Sequence, residues 1–552
     1  MTPSLRSDTV STDPLGRGRP SFPSGKPKHS RYDAIVVGAG HNGLVCAGFL
    51  AKAGKRVLVL EQRPQIGGVT TSEEIHPGFT YSACSYVVSL MRPWIVRHLD
   101  LPSFGYRVLP LDETFTPFPD GRYLLRDADP HRTRRAIAQF SPTDADAYPK
   151  FGREMSELGR RIRSLIDEPA PDPVAPKLQD LANMLKLGRG VGDATETLYR
   201  ISTMSAVDFL HRYFQDEHLV APMSVSGIIG TFLGVRSPGT AYVLLHHYMG
   251  DIDGAYRAWG IPRGGTGSVA DAIALSAQAH GAEILVDAPV DKIRVRGRSA
   301  TGVVLQNGDE IAAKSVISGA EPRRTFFGMV GEQHLPTEFV AGLRRYKLRG
   351  SSGKVNLALD GLPEFACLPG QGRHLRGDIT IAPSLDYLER AYDDAKRGSF
   401  SERPFMDIVI PSLSDPSVAP PGKHVMSIFV QYAPYHLADG PDSWPLHRDA
   451  FGDAVINTLT EYMPNLPSLI QHRHVLSPWD MEQIYGLTEG NIFHGELSLE
   501  QLAFQRPVAG WSRYKSPIRR LWMCGSGTHP GGGIMGAPGA LCALSLLKVK
   551  RP

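Results

Sequence analysis

Apolar residues in the first part of the chain fall into a compact strand–helix–strand alternation. Ala34–Val37 is an unbroken apolar run, Leu44 to Ala53 carries an apolar face that stops at Gly54, and Arg56–Leu60 is a second strand-like run. Short continuous apolar runs are what strands covered on both faces look like, as in a parallel sheet. A second periodic block starts at Ser141, where Ser-Pro-Thr-Asp is a helix entry signal. Tyr148, Phe151, Met155, Leu158, Ile162 and Leu165 then recur at alternating steps of three and four, forming a single stripe that predicts packing into a helical cap. After the proline-rich break at Glu168–Pro176, Leu178, Leu181, Met184 and Leu185 begin another amphipathic segment. The region to about Tyr256 reads as mostly helical.

Further on, Arg263-Gly-Gly-Thr-Gly267-Ser268 opens a predicted helix, Val269–His280, closed by Gly281. A strand (Glu283–Val286), a hairpin through Asn307-Gly308 and the run Val316–Ala320 follow. Strand-like alternation returns at Lys354–Asp360, Phe405–Pro411 and Val425–Tyr432, which predicts the sheet floor of a second domain. A short strand at Leu521, a glycine-rich crossing and a helix from Ala537 to Leu547 end the pattern.

The first block also carries chemistry. Between its first strand and helix lies Gly38-x-Gly40-x-x-Gly43, and its second strand ends in Glu61. Gly38 permits the tight turn, Gly40 lets backbone approach a pyrophosphate, and Gly43 lets helix and strand pack closely. The helix N-terminus offers unpaired N–H groups to phosphate. Glu61 stands where an acid accepts from a ribose 2′-OH, which favours FAD or NAD over NADP. Arg63-Pro-Gln-Ile-Gly67-Gly68 continues from that strand as in the extended FAD signature. Gly525-Ser-Gly527-Thr-His529-Pro-Gly531-Gly532-Gly533-Ile-Met535-Gly536 adds a late crossing before a helix that can stabilise reduced flavin. FAD is therefore the expected cofactor. The Gly264 cluster follows no convincing strand, so no separate NAD(P)H domain is expected.

Composition narrows the field without redirecting it. The 552 residues are 42% hydrophobic and 21% charged, with a net charge of +4 and no basic patch, which gives no argument for nucleic-acid binding. Such a length suits two or three domains. No apolar run reaches membrane-span length, so any membrane contact is expected to be peripheral. Cys46, Cys84, Cys367, Cys524 and Cys542 form no C-x-x-C pair, which argues against a disulfide-reductase mechanism, and no His/Cys cluster has metal spacing. FAD is expected to be held non-covalently, Cys524 being read as core packing. Residues 1–30 read as a solvated, disordered tail. Arg6, Arg17, Arg19, Lys26 and Lys28 suit a mitochondrial targeting peptide, but Asp8, Asp13 and the prolines spoil its amphipathic helix. With no secretory signal, an intracellular protein is expected, cytoplasmic or at a membrane surface, with the mitochondrial matrix an alternative in a eukaryote.

In order along the chain, GAGHNGLVCAGFLAKAGKRVLVLEQRPQIGG, GIPRGGTGSVADAI, VISGAEPRRT, GNIFHGELSLEQLAFQRP and CGSGTHPGGGIMGAPG resemble the phytoene-desaturase-like flavoproteins. They are most similar to the branch of CrtO-type carotene ketolases and mitochondrial PYROXD-type proteins. The resemblance covers nearly everything after Tyr32. It implies an α/β (α+β overall) fold: a Rossmann-type FAD domain assembled from discontinuous segments, with an inserted substrate domain of mixed sheet and helical cap. The expected division is tail 1–30, FAD-domain parts 31–90, 256–345 and 505–552, substrate and helical cap region 91–255, and substrate-domain sheet 346–504. The implied cofactor residues are Gly38, Gly40, Asn42, Gly43, Glu61, Gln62, Arg63, Gly67, Gly68, Gly525, Gly527, Gly533, Ile534 and Met535, with Val290 approaching the adenine through its backbone.

Groups for substrate chemistry are few. His529, in a run similar to the family's flavin-proximal THPG, is a candidate donor to flavin or substrate; ordering the crossing is the equal alternative. Lys354 resembles the strand lysine that faces flavin N5 in amine oxidases, although an exposed structural lysine is the favoured reading. Asn491 and His494 sit in a family motif and are candidates for the flavin pocket, with Glu489 and Glu496 as acids ranked below His529. The expected activity is dehydrogenation or oxidation of a lipophilic, carotenoid-, isoprenoid- or polyene-like substrate by hydride transfer to flavin N5, with oxygen or a quinone as acceptor. A regulatory or interaction protein containing FAD, and an amine-oxidase-type flavoenzyme, are the alternatives.

Overall fold

The computed structural model describes residues 19–111, 113–174, 176, 195–252, 255–256 and 259–552. The amphipathic segment expected from Leu178 and most of the N-terminal tail lie outside these residues. Residues 19–30 were expected in the solvated tail but lie against the nucleotide domain. Arg19 pairs with Asp271 at 3.2 Å, Pro23 O accepts from Val286 N, and Lys28 N donates to Glu283. Their polar composition hid these backbone contacts.

One sheet is built on the strand–helix–strand unit. Its strands run Glu283–Leu285, Val57–Leu60, Arg31–Val37, Glu310–Ser318, Ser299–Leu305 and Val290–Arg296, and Leu521–Met523 also pairs with Glu310–Ser318. The centre is parallel, with Ala34 opposite Val57, Ile35 opposite Val316, and Val316 opposite Leu521. Three distant stretches of sequence therefore close one sheet. Val57–Leu60 is wholly buried, which explains its unbroken apolar run. The helices Gly267–Ala279 and Ala537–Leu547 pack beside His41–Lys52. The last approach is close: a Cβ on Gly539 would stand 2.1 Å from Asn42 O.

A second sheet runs Ile470–Leu476, Ser352–Leu359, His424–Gln431, Phe405–Val409, Asp378–Ile381, Glu113–Pro117 and Tyr123–Asp127. It is antiparallel except for the Asp378–Ile381/Glu113–Pro117 pair. Two of its strands come from the stretch 91–255, read as the substrate and helical cap region, so that stretch supplies sheet as well as cap. Their Pro119-Asp120-Gly121 turn was a hairpin signal that the helical pattern nearby obscured. Alternation divides the sheet into two faces. Val355, Leu357, Ile379, Met406, Ile408, Met426 and Ile428 pack with Trp444, Phe451, Val455 and Leu459 of helix Trp444–Thr460. The opposite face carries Lys354, Asn356, Thr380, Asp407, Ser427 and Gln431, all buried.

The cap begins with helix Pro142–Ile166, whose N-terminus is capped by Ser141 Oγ accepting from Asp144 N. Phe151, Met155, Leu158 and Ile162 are buried in the largest core, with Phe209, Leu244 and Leu245 from later helices and Phe214 from the loop between two of them. At roughly 1.5–3 kcal/mol for each large apolar side chain removed from water, that stripe is what holds the cap down.

Candidate active site

A cleft of about 290 Å³, partly open to solvent, runs from the first sheet to the junction of cap and second sheet. Its outer end is lined by Glu61, Val290 and Gln306, its middle by Gly40–Gly43 and Gly67–Gly68, and its inner end by Tyr86, His247, Trp259, Phe429 and Phe493. This is the extended shape that a dinucleotide with a large ring system requires.

The fingerprint glycines meet the demands read from the sequence. Gly38 has φ +93°, and a Cβ on Gly43 would lie 2.3 Å from Gly38 O. A Cβ on Gly40 would meet no protein atom within 4 Å and would project into the cleft. Glu61 accepts from Ala39 N at 2.8 Å and Arg63 N at 3.0 Å while lining the cleft. Burial pushes its carboxyl up, an effect offset in part by those N–H donors. Four buried polar atoms of cleft residues, His41 Nε2, Asn42 Oδ1, Arg63 Nη1 and His494 Nδ1, have no protein partner among the described residues. Buried polar atoms are ordinarily bonded, so this set fits a polar ligand such as FAD.

Of the expected cofactor residues, Gly38, Gly40, Asn42, Gly43, Glu61, Gln62, Arg63, Gly67, Gly68, Val290, Gly525, Gly533 and Ile534 line the cleft. Gly527 and Met535 are set behind it: a Cβ on Gly527 would lie 2.5 Å from Pro322, and Met535 is wholly buried in the core. The sequence reading missed His41, Tyr86, Trp259, Gln306, Gly319, Arg324 and Ser526 as lining residues. His41 lies inside the fingerprint and was within reach of sequence reasoning; Tyr86 and Trp259 sit in irregular segments with no periodic signal.

Arg506 also escaped notice. Wholly buried, it donates to the carbonyls of Glu496, Gln501, Phe493, Gly495 and Ser526, while Asn42 Nδ2 donates to Ser526 Oγ at 3.1 Å. The guanidinium therefore ties the Gly525–Gly527 crossing to the loop 493–501.

The four expected catalytic residues separate. His529 does not line the cleft; its Nε2 lies 3.1 Å from Glu168 O, at the end of the long cap helix. Asn491 is a loop organiser, with Oδ1 accepting from Phe493 N and Gly495 N and Nδ2 donating to Arg349 O. His494 does line the cleft, and burial, reinforced by Arg506, holds it neutral with a pKa of about 3. Of the two acids, Glu496 is spent on Arg349, at 2.7 Å, and Glu489 faces Arg323 and His436.

Lys354 is the opposite of an exposed lysine. At 0% exposure it donates from Nζ to Ser427 Oγ at 2.5 Å and stands 5.0 Å from the centre of the Tyr86 ring. Burial lowers its pKa to about 7. Alternation along the strand placed it on a definite face; the cap and nucleotide domain that cover that face come from elsewhere in the chain.

The inner end is aromatic. Tyr86 stacks with Phe429 at 5.7 Å and lies 6.2 Å from Trp259, whose ring is 6.1 Å from His247. His247 Nδ1 is 2.9 Å from Val243 O, and burial lowers its pKa to about 4. The inner wall is thus aromatic and its histidine uncharged.

The chain is similar to known flavoproteins along most of its length. The family model for flavin-containing amine oxidoreductases matches residues 43–540. The pyridine nucleotide-disulfide oxidoreductase domain-containing protein 2 of Rattus norvegicus is 38% identical over 533 residues, covering 92% of each chain. A lycopene-forming phytoene desaturase of Pseudescherichia vulneris is 25% identical over 528 residues, covering 94% of this chain and 99% of its own. Among solved structures, a redesigned putrescine oxidase superposes with a TM-score of 0.61 at 16% identity, over 94% of this chain and 98% of that one, which bears on the fold alone. The resemblance read from the motifs therefore holds, and the chain belongs to the flavin-containing amine oxidoreductase family as an FAD-dependent oxidoreductase.

Proposed function

We propose that the chain oxidises a largely apolar substrate of isoprenoid or polyene type, removing hydride from carbon and passing the electrons on to oxygen or a quinone. The observation that carries this reading is the inner end of the cleft, where Ile229, Trp259, Phe429, Ile492 and Phe493 supply the wall and the histidine is neutral. A wall of this kind orients an apolar chain by shape and excludes water, and hydride transfer asks for little more than positioning. The phytoene desaturase relative supports the same substrate class. Such a substrate would be met by peripheral contact with a membrane; no helix of the described residues is long and apolar enough to cross one.

The cofactor residues take distinct roles in this reading. Backbone N–H groups at the start of helix His41–Lys52, beside Gly40, would hold the pyrophosphate. Glu61 would accept from the ribose hydroxyls, and Val290 and Gln306 would hold the adenine. Gly525, Ser526, Gly533 and Ile534 would hold the ring system, with Arg506 bracing Ser526 through its carbonyl. Bound FAD supplies the hydride acceptor. Tyr86, Phe429 and Trp259 orient the substrate against it.

A second reading, amine oxidation, is favoured by one observation. Tyr86, Trp259 and Phe429 form the aromatic grouping that attracts a cationic substrate, with Lys354 buried behind them. Anaerobic mixing of the holoenzyme with polyenes, retinoids, acyl lipids and amines separates the two. Rapid bleaching of the flavin by polyenes or retinoids is expected, and bleaching by amines alone would replace the first reading with the second.

A further inference from the structure

Behind the cleft wall lies an acid pair, Asp407 buried and Asp378 half-buried, that the reading above does not use. Tyr86 lines the cleft, and its hydroxyl donates to Asp407 Oδ2 at 3.3 Å; Thr380 Oγ1 donates to Asp407 Oδ1 at 3.1 Å. Asp407 lies opposite Thr380 in the sheet, which puts Asp378, two residues along, on the same face and diagonal to it. Asp378 Oδ1 and Arg126 Nε have no hydrogen-bond partner among the described residues. Two carboxylates on one buried sheet face cannot both carry full charge at low cost.

We propose that Asp407 and Asp378 form a proton store for the flavin site, reached from the cleft through the Tyr86 hydroxyl. The charged group facing the pair is Arg126, from the edge strand one beyond Glu113–Pro117; Lys354 lies over the ring of Tyr86. Burial raises both acids, and the charge of Asp407 raises Asp378 further, opposed by Arg126. This arrangement keeps a proton on the pair near neutrality and leaves room for exchange.

The proton balance is simple. As substrate is oxidised, a C–H bond breaks and its hydride goes to FAD. A second hydrogen, on the neighbouring carbon, nitrogen or oxygen, leaves as a proton while the electron pair of its bond forms the new double bond. Tyr86 takes that proton as it passes its own to Asp407, so the pair gains one proton and Tyr86 is unchanged. Asp407 touches neither substrate nor FAD; it is a positioning residue that acts through Tyr86.

The inference rests on the oxidoreductase reading, and its test separates the two. The reduction potential of bound FAD is measured against pH in the wild-type holoenzyme, Asp407→Asn and Tyr86→Phe, with FAD content and melting temperature as checks on folding. The wild type is expected to show a change of slope near neutrality that both variants remove. With the substrate that bleaches the flavin, each variant is expected to slow reduction at least tenfold, with a flattened pH profile and no further loss in the double variant. Asp407→Glu is expected to restore part of the pH dependence. A slope change that persists unmoved in both FAD-loaded variants, or is absent from the wild type, overturns the proton store. Failure of every substrate class to bleach the flavin would instead count against the proposed function and leave the potentiometric result standing.

Discussion

Gly40 and Gly43 are three residues apart, yet they are expected to fail in different ways. A methyl on Gly43 would stand 2.3 Å from Gly38 O and 3.3 Å from Val36 Cγ1. Carbon–oxygen contacts close to about 3.3 Å at best, so the helix has to move out by about 1 Å. Overpacking of this kind costs about 1–3 kcal/mol. At Gly40 the backbone is ordinary, with φ −66° and ψ 161°, and a side chain meets no protein atom. Gly40→Leu should therefore leave the apoprotein within about 0.5 kcal/mol of wild type while filling the path of the pyrophosphate. Thermal melts of the apoprotein with and without FAD distinguish the cases. Ligand at a hundred times its Kd adds about 2.7 kcal/mol, a shift expected in wild type and absent in Gly40→Leu. Gly43→Ala should lower the apoprotein melt itself and weaken FAD binding as the Gly38 turn is displaced. If Gly40→Leu binds FAD as wild type does, the phosphates do not cross that glycine. If Gly43→Ala melts with wild-type apoprotein, the helix–strand spacing is not set by that contact.

Burial lowers the Lys354 pKa to about 7 in the folded protein from the usual 10.5, so the unfolded chain binds the extra proton between those pH values. Its contribution should make stability rise with pH across that window, by about 5 kcal/mol at 1.36 kcal/mol per unit, and chemical denaturation of Lys354→Met from pH 6 to pH 10 should lack that rise. His529→Ala should retain FAD and change the rate of flavin reduction by less than threefold, because its imidazole is directed to Glu168 O; the loss should appear as about 1 kcal/mol of stability in a urea melt. A large rate defect with normal stability would return His529 to the chemistry. Arg506→Met strands five buried carbonyls and should cost at least about 3 kcal/mol, with loss of FAD; normal FAD content in that variant would show that the crossing holds without its brace.

The nucleotide unit was legible in the sequence because its causes are local. Gly38, Gly40, Gly43 and Glu61 act on atoms a few residues away or on the ligand itself, so their spacing carries the geometry. Strand alternation likewise located the strands that carry Lys354, Asn356, Asp407 and Ser427. What covers a face is decided by chains distant in sequence. Lys354 was read as exposed because nothing near it announces the cap; its desolvation comes from segments that arrive only on folding. His529 sits in a flavin-like motif, but its ring direction depends on Glu168, 361 residues earlier. Tyr86 and Asp407 are 321 residues apart and meet only because the second sheet packs against the cleft wall. Local propensity and spacing fixed the elements and the cofactor motif. The direction and burial of each reactive group are properties of packing between elements, and these only the tertiary structure decided.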